Sequence, residues 1–129
     1  MRVLLDTHVM LWWLHDSARL LPATRQLLAN ARHELIWSAA STWELAIKLP
    51  LGKLRIDEPL QQFVTRILRE QSLVGLPVQH AHAAHVALLP PIHRDPFDRL
   101  LVAQAAVEGL PLLTADARLE DYGIECLPA

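Results

Sequence analysis

The chain opens on Arg2-Val3-Leu4-Leu5, a short apolar stretch that halts at Asp6. Large aliphatic residues in an unbroken run of this length read as a strand buried on both faces, the pattern of a parallel sheet. Further short apolar runs recur at Glu34–Ser38, Leu73–Val78, Leu110–Leu113 and Ile124–Leu127, with Pro111 near the start of its run, where a missing N–H is tolerated. Between them the spacing turns helical, over His8–His15, Pro22–Leu28, Ser41–Lys48, Pro59–Glu70, His80–Leu89 and Pro96–Glu108. In the fourth helix Leu60, Phe63, Val64, Ile67 and Leu68 fall on one stripe at the 3.6-residue period. Strands alternating with helices predict an α/β domain with a mainly parallel central sheet flanked by helices.

The 129 residues suit a single domain spanning 1–129, since domains usually hold about 100–200 residues. With 52% hydrophobic and 20% charged residues, the chain lies outside the disordered class. A domain of this size buries about two-thirds of its unfolded surface, so neither disulfide nor metal is needed to hold it together. Any metal is free to be functional. The single cysteine, Cys126, has no internal partner and fits a reducing cytoplasm. Residues 71–93 lack Asp, Glu, Lys and Arg but contain four histidines and three prolines, so they do not read as a membrane helix. Asp6 interrupts the N-terminal apolar run too early for a signal peptide. No internal repeat or low-complexity tract is present.

A formal charge of −2 argues against a broadly basic nucleic-acid binder. The placement of the acids is more informative than their number. In open parallel α/β sheets ligands gather outside the carboxyl ends of the strands. Asp6 follows the first strand, Glu44 lies in the helix after the second, Asp98 opens the strongest helix, and Asp116 follows the fourth strand. Carboxylates brought together raise one another's pKa unless a cation balances them. Oxygen donors suit Mg²⁺ or Mn²⁺, which fits metal-assisted phosphodiester cleavage. Each acid also has an ordinary reading. Ser41-Thr42-Trp43-Glu44 has capping-box spacing, Asp95-Pro96-Phe97-Asp98 resembles one, Glu44 pairs with Lys48 at i,i+4, and Asp6 and Asp116 suit helix caps.

Four blocks carry a family resemblance: Leu4-Leu5-Asp6-Thr7-His8-Val9-Met10-Leu11-Trp12-Trp13, Ser38-Ala39-Ala40-Ser41-Thr42-Trp43-Glu44-Leu45-Ala46-Ile47-Lys48, His93-Arg94-Asp95-Pro96-Phe97-Asp98-Arg99-Leu100-Leu101-Val102-Ala103-Gln104-Ala105, and Leu113-Thr114-Ala115-Asp116. In this order they resemble a PIN domain, with the VapC-like toxins of type II toxin–antitoxin pairs the nearest subgroup. The resemblance spans nearly the whole chain and implies a three-layer α/β/α fold. It also implies a Mg²⁺- or Mn²⁺-dependent endoribonuclease, acting on RNA in the cytoplasm, forming a homodimer and bound by a cognate antitoxin. Its catalytic quartet matches Asp6, Glu44, Asp98 and Asp116, with Asp6, Asp98 and Asp116 as principal metal ligands and Glu44 positioning metal or water. Asp95 reads as a helix cap first and an auxiliary ligand second, and Thr114 as a polar neighbour of the site or a turn hydroxyl.

Lys48, Arg94 and Arg99 lie near these acids in sequence and suit flanking phosphates, or salt bridges to the acids themselves. His80, His82 and His85 raise a zinc reading, but their spacing lacks a matching cysteine set, and exposed helix histidines explain them as well. His8 and His93 read as structural partners of the acids beside them. Trp12, Trp13, Trp37 and Trp43 read as packing residues before base-stacking ones. Two other classes remain to be weighed: a phosphoacceptor receiver domain, disfavoured because no Lys follows Lys53, and a non-catalytic binding module whose acids are only caps.

Overall fold

A computed structural model describes residues 1–129. Five parallel strands form one sheet in the order β3-β2-β1-β4-β5, with β1 Arg2–Leu5, β2 Glu34–Ser38, β3 Val74–Leu76, β4 Leu112–Thr114 and β5 Cys126–Pro128. Around it lie α1 Thr7–Leu14, α2 Pro22–Ala29, α3 Ala39–Lys48, α4 Leu60–Glu70, α5 His80–His85 and α6 Pro96–Glu108. The order excludes the receiver reading, since receivers such as CheY place their strands 2-1-3-4-5.

Alternation along the strands builds the two helical layers. Val3, Leu5, Leu35, Trp37 and Leu113 face one side, where they meet Val9 and Met10 of α1, Leu28 of α2, Leu45 of α3, and Phe63 and Ile67 of α4. Leu4, Ile36 and Leu112 face the other, against Ala40 of α3, Leu101, Val102 and Ala105 of α6, and Leu119. The period-2 geometry of a strand makes one sheet serve both cores. The amphipathic stripe foreseen on α4 does bury Phe63 and Ile67, while Leu60, Val64 and Leu68 are partly buried against the same core.

Helix ends follow local chemistry in some places and tertiary context in others. Helix α6 starts where Asp95 accepts from the backbone N–H groups of Phe97 and Asp98, with Pro96 at the first position. It stops at Gly109, whose φ of 65° suits a residue without a Cβ. Helix α3 begins three residues before the capping-box reading of Ser41 and Glu44 would place it. Its cap is Ser38, which accepts from the Ala40 N–H, and Ser41 and Glu44 are buried inside the helix. Strand β4 is shifted toward Thr114 relative to the apolar run. The Pro111 carbonyl still accepts from the Leu4 N–H, and Leu113 accepts from Asp6, so the register is set by β1. No helix is long and apolar enough to cross a membrane.

Candidate active site

Strand order reverses between β1 and β4, and crevices for ligands form outside the carboxyl ends of strands at such a point. Asp6 is the first residue beyond β1, and Asp116 stands two beyond β4. Helix α3 brings Glu44 from the β2 side, and the first turn of α6 brings Asp98. All four acids and Asp95 line one cleft of about 380 Å³, together with His8, Trp12, Lys48 and Ala115. A larger hollow of about 540 Å³, at the opposite end of β2 beside Arg32, His33 and Glu34, gathers no such cluster.

The acids differ in their surroundings. Asp6 is 8% exposed, and the Thr114 hydroxyl donates to its Oδ2 at 2.7 Å. Burial raises its pKa, against the pull of that hydrogen bond and of nearby His8. Asp98 is pushed up to about 7, first by burial and then by the charges of Asp6, Asp95, Glu44 and Asp116. Asp116 goes the other way. The Arg118 Nε and Nη2 donate to its two oxygens at 3.0 and 2.7 Å and hold its carboxyl below the usual range. Glu44 is 3% exposed; its Oε2 accepts from the Lys48 ammonium, while its Oε1 is buried with no hydrogen-bond partner. Burial opposes the Lys48 charge, but the bond and charge of Glu44 outweigh it and raise the Lys48 pKa.

These residues fit a divalent cation. Glu44 has an orphaned buried carboxylate oxygen, and Asp98 is lifted to about 7 first by burial and then by its acidic neighbours, both of which a bound cation would relieve. The donors are hard oxygens, which suit Mg²⁺ and Mn²⁺.

Other expected site residues fall on either side of the line. Thr114 is at the site, since it orders both Asp6 and the backbone N–H of Asp116. Asp95 is the α6 cap and also faces the cleft. Lys48 is there but engaged by Glu44, and Arg94 is exposed beside Asp95. Arg99 turns away: its guanidinium donates to the carbonyls of Pro90, Val86 and Leu89, so it ties α6 to the preceding segment rather than facing the acids. His82 corrects the exposed-histidine reading, because it is fully buried with Nδ1 accepting from the Gln79 N–H. His80 is exposed and His85 half-buried. Among the tryptophans, Trp37 is core, Trp13 donates to Gln71, Trp12 borders the cleft, and Trp43 is 50% exposed with its ring against Phe97. Sequence reading undervalued Gln104, which is fully buried and bonds to Ser38 and to the Pro77 carbonyl. A polar residue at the apolar centre of α6 was the available signal.

A cluster of acids at the switch point of a 3-2-1-4-5 parallel sheet defines an α/β domain whose donors suit a divalent cation. More specifically, the chain belongs to the PIN domain family, whose model matches residues 3–125. Ribonuclease VapC22 of Mycobacterium tuberculosis is 34% identical to it over 120 residues, 93% of this chain and 91% of that one. The fold is shared with the crystal structure of VapBC2 from Rickettsia felis bound to a DNA fragment from their promoter, at a TM-score of 0.71 and 15% identity over 99% of this chain and 98% of that chain. FitAcB from Neisseria gonorrhoeae superposes with a TM-score of 0.63 at 19% identity, covering 97% and 96% of the two chains.

Proposed function

We propose that this protein is a Mg²⁺- or Mn²⁺-dependent endoribonuclease and the toxin of a type II toxin–antitoxin pair. The observation that carries the reading is the convergence of Asp6, Glu44, Asp98 and Asp116 on one cleft in which Asp98 is pushed to about 7. The kinship to a protein named as a ribonuclease supports the substrate class.

Asp6, Asp98 and Asp116 would hold the cation, with Asp95 auxiliary to them. When bound, Mg²⁺ or Mn²⁺ lowers the pKa of water and stabilises charge on a phosphodiester. The Thr114 hydroxyl fixes the Asp6 carboxylate at the cleft wall. Glu44, which lines the cleft with its Oε1 unpartnered, would help position the metal or its water. Lys48 and the exposed Arg94 suit phosphates flanking the scissile bond, whereas Arg99 is committed to backbone carbonyls. Trp12 at the cleft margin and Trp43 beside Glu44 offer aromatic surface to a partner. The antitoxin would cover this same face, and the family resemblance adds a homodimer and a cytoplasmic location.

The test is cleavage of a mixed RNA substrate by purified protein with Mg²⁺ or Mn²⁺, in parallel with EDTA and with Asp98→Asn. We expect cleavage only with the cation and a loss of at least about 10²-fold in the variant, the scale typical of groups that stabilise transition-state charge. Wild-type rates from folded Asp98→Asn would refute the site, and binding of RNA without cleavage would favour a non-catalytic module.

A further inference from the structure

We propose that His93, which stands behind the Asp98 and Asp116 side of the cleft, supplies a nitrogen ligand to a divalent cation held with those two acids. The inference rests on the metal-binding reading above and adds a residue outside the acid quartet. His93 stands in the segment just before α6, with its side chain only 9% exposed. Its Nε2 is buried without a hydrogen-bond partner, and it faces Asp98 Oδ2 at 3.7 Å, too far for a hydrogen bond. One ligand atom from each of His93, Asp98 and Asp116 lies within 4.8 Å of the others. The three side chains therefore converge on a shared volume from the pre-α6 segment, the first turn of α6 and the loop after β4.

The back of the ring is anchored as a ligand's should be. A metal-bound histidine usually directs its other nitrogen to an outer partner that fixes the tautomer. Here Nδ1 lies 3.3 Å from the Tyr122 hydroxyl, and the two rings meet edge to face at 5.5 Å. The His93 backbone N–H donates to the same hydroxyl at 3.2 Å. Ligation requires the tautomer with the proton on Nδ1, directed at the Tyr122 oxygen that also lies 3.4 Å from Arg99 Nη1, which leaves the Nε2 lone pair toward the acids. Asp116 must exchange part of its contact with Arg118 for the cation, which is feasible because Arg118 is 67% exposed.

A mixed nitrogen and oxygen donor set has a chemical consequence. Imidazole suits Fe²⁺, Ni²⁺, Cu²⁺ and Zn²⁺, and Mn²⁺, though at home among oxygens, accepts it in a mixed set, whereas Mg²⁺ favours oxygen alone. His93 should therefore bias this cleft toward transition metals. Electron spin-echo envelope modulation on the full chain with substoichiometric Mn²⁺ reads a directly bound imidazole through its ¹⁴N coupling. We expect that modulation in the wild type and its conversion to a ¹⁵N pattern on labelling with ¹⁵N-histidine. It should persist in His8→Gln, which removes the other histidine bordering the acids, and vanish in His93→Gln. Isothermal titration should show His93→Gln binding Mn²⁺ or Ni²⁺ about tenfold or more weakly, the scale seen when a metal's surroundings are altered, with Mg²⁺ binding nearly unchanged. Bound Mn²⁺ without nitrogen modulation, modulation lost in His8→Gln, or modulation retained in His93→Gln would overturn the proposal while leaving the acid site intact. Absence of any Mn²⁺ binding would overturn both. Should His93→Gln fail to fold, the labelled wild type and His8→Gln still decide.

Discussion

Replacing Asp98 by Asn should stabilise the metal-free protein, and the gain should grow with pH. Asp98 titrates at about 7 in the folded chain against 3.8 for an unperturbed carboxyl, because burial and four neighbouring carboxylates disfavour its anion. Below about pH 4 folded and unfolded chains both carry the neutral acid, and the wild type behaves like the variant at this position. Between about pH 4 and 7 the unfolded chain releases the proton while the folded chain retains it, so stability falls as pH rises. At about 1.4 kcal/mol per pKa unit the full loss has a ceiling of about 4 kcal/mol. Water reaching the carboxylate, whose side chain is 18% exposed, reduces the expected figure to about 1–3 kcal/mol. That corresponds to a Tm gain of about 3–10 °C for a domain of this size. Thermal unfolding in EDTA, followed by circular dichroism at pH 5 and pH 8, measures the difference. Subtracting variant from wild type cancels the histidines common to both except His93, whose Nε2 lies 3.7 Å from Asp98. A variant no more stable than wild type at pH 8, or equally favoured at both pH values, would refute the reasoning. Saturating Mn²⁺ should reverse the order, since a ligand at 100 times its Kd stabilises by about 2.7 kcal/mol and the variant binds it poorly.

Two further outcomes test the supports of the site. Thr114→Val keeps the shape but removes the hydroxyl shared by Asp6 and the Asp116 N–H; we expect a stability loss of about 1–2 kcal/mol in urea titration and weaker Mn²⁺ binding by calorimetry, and unchanged metal affinity would separate Thr114 from the site. Gln104→Leu strands the Ser38 hydroxyl at the start of α3 and should cost about 2–4 kcal/mol, whereas a change within about 0.5 kcal/mol in the same titration would mean the buried contact holds nothing in place.

Where local rules govern, the sequence was legible. Strand β2 and helix α6 occur over the residues foreseen, because an apolar run in one case and Asp95, Pro96 and Gly109 in the other mark their limits chemically. Ser41 and Glu44 obeyed the same local rule and misled, since Ser38, a residue from the strand end, caps α3 instead. The convergence of acids was inferable from strand ends, but the differences among them were not. Arg118 on Asp116, Thr114 on Asp6 and the orphaned oxygen of Glu44 are properties of packing. His82 and Arg99 teach the same lesson: a helix histidine and an arginine beside an acid look like surface residues until the third dimension assigns them a buried pocket and a set of carbonyls.

The hydrogen bond from Thr114 to Asp6 spans 108 residues. During synthesis, at about 5–20 residues per second, Asp6 is therefore made roughly 5–20 seconds before the hydroxyl that orients it. Helices α1 to α5 can form in that interval, yet β1 lacks β4 on one edge and the cleft lacks its last wall. A ribosome that stalls or a chain cut short before β4 leaves a product with three acids and no assembled site. On the proposed reading, activity would need the chain through β4 and Asp116, and the delay is a window in which a partner already present could meet the protein as its cleft closes.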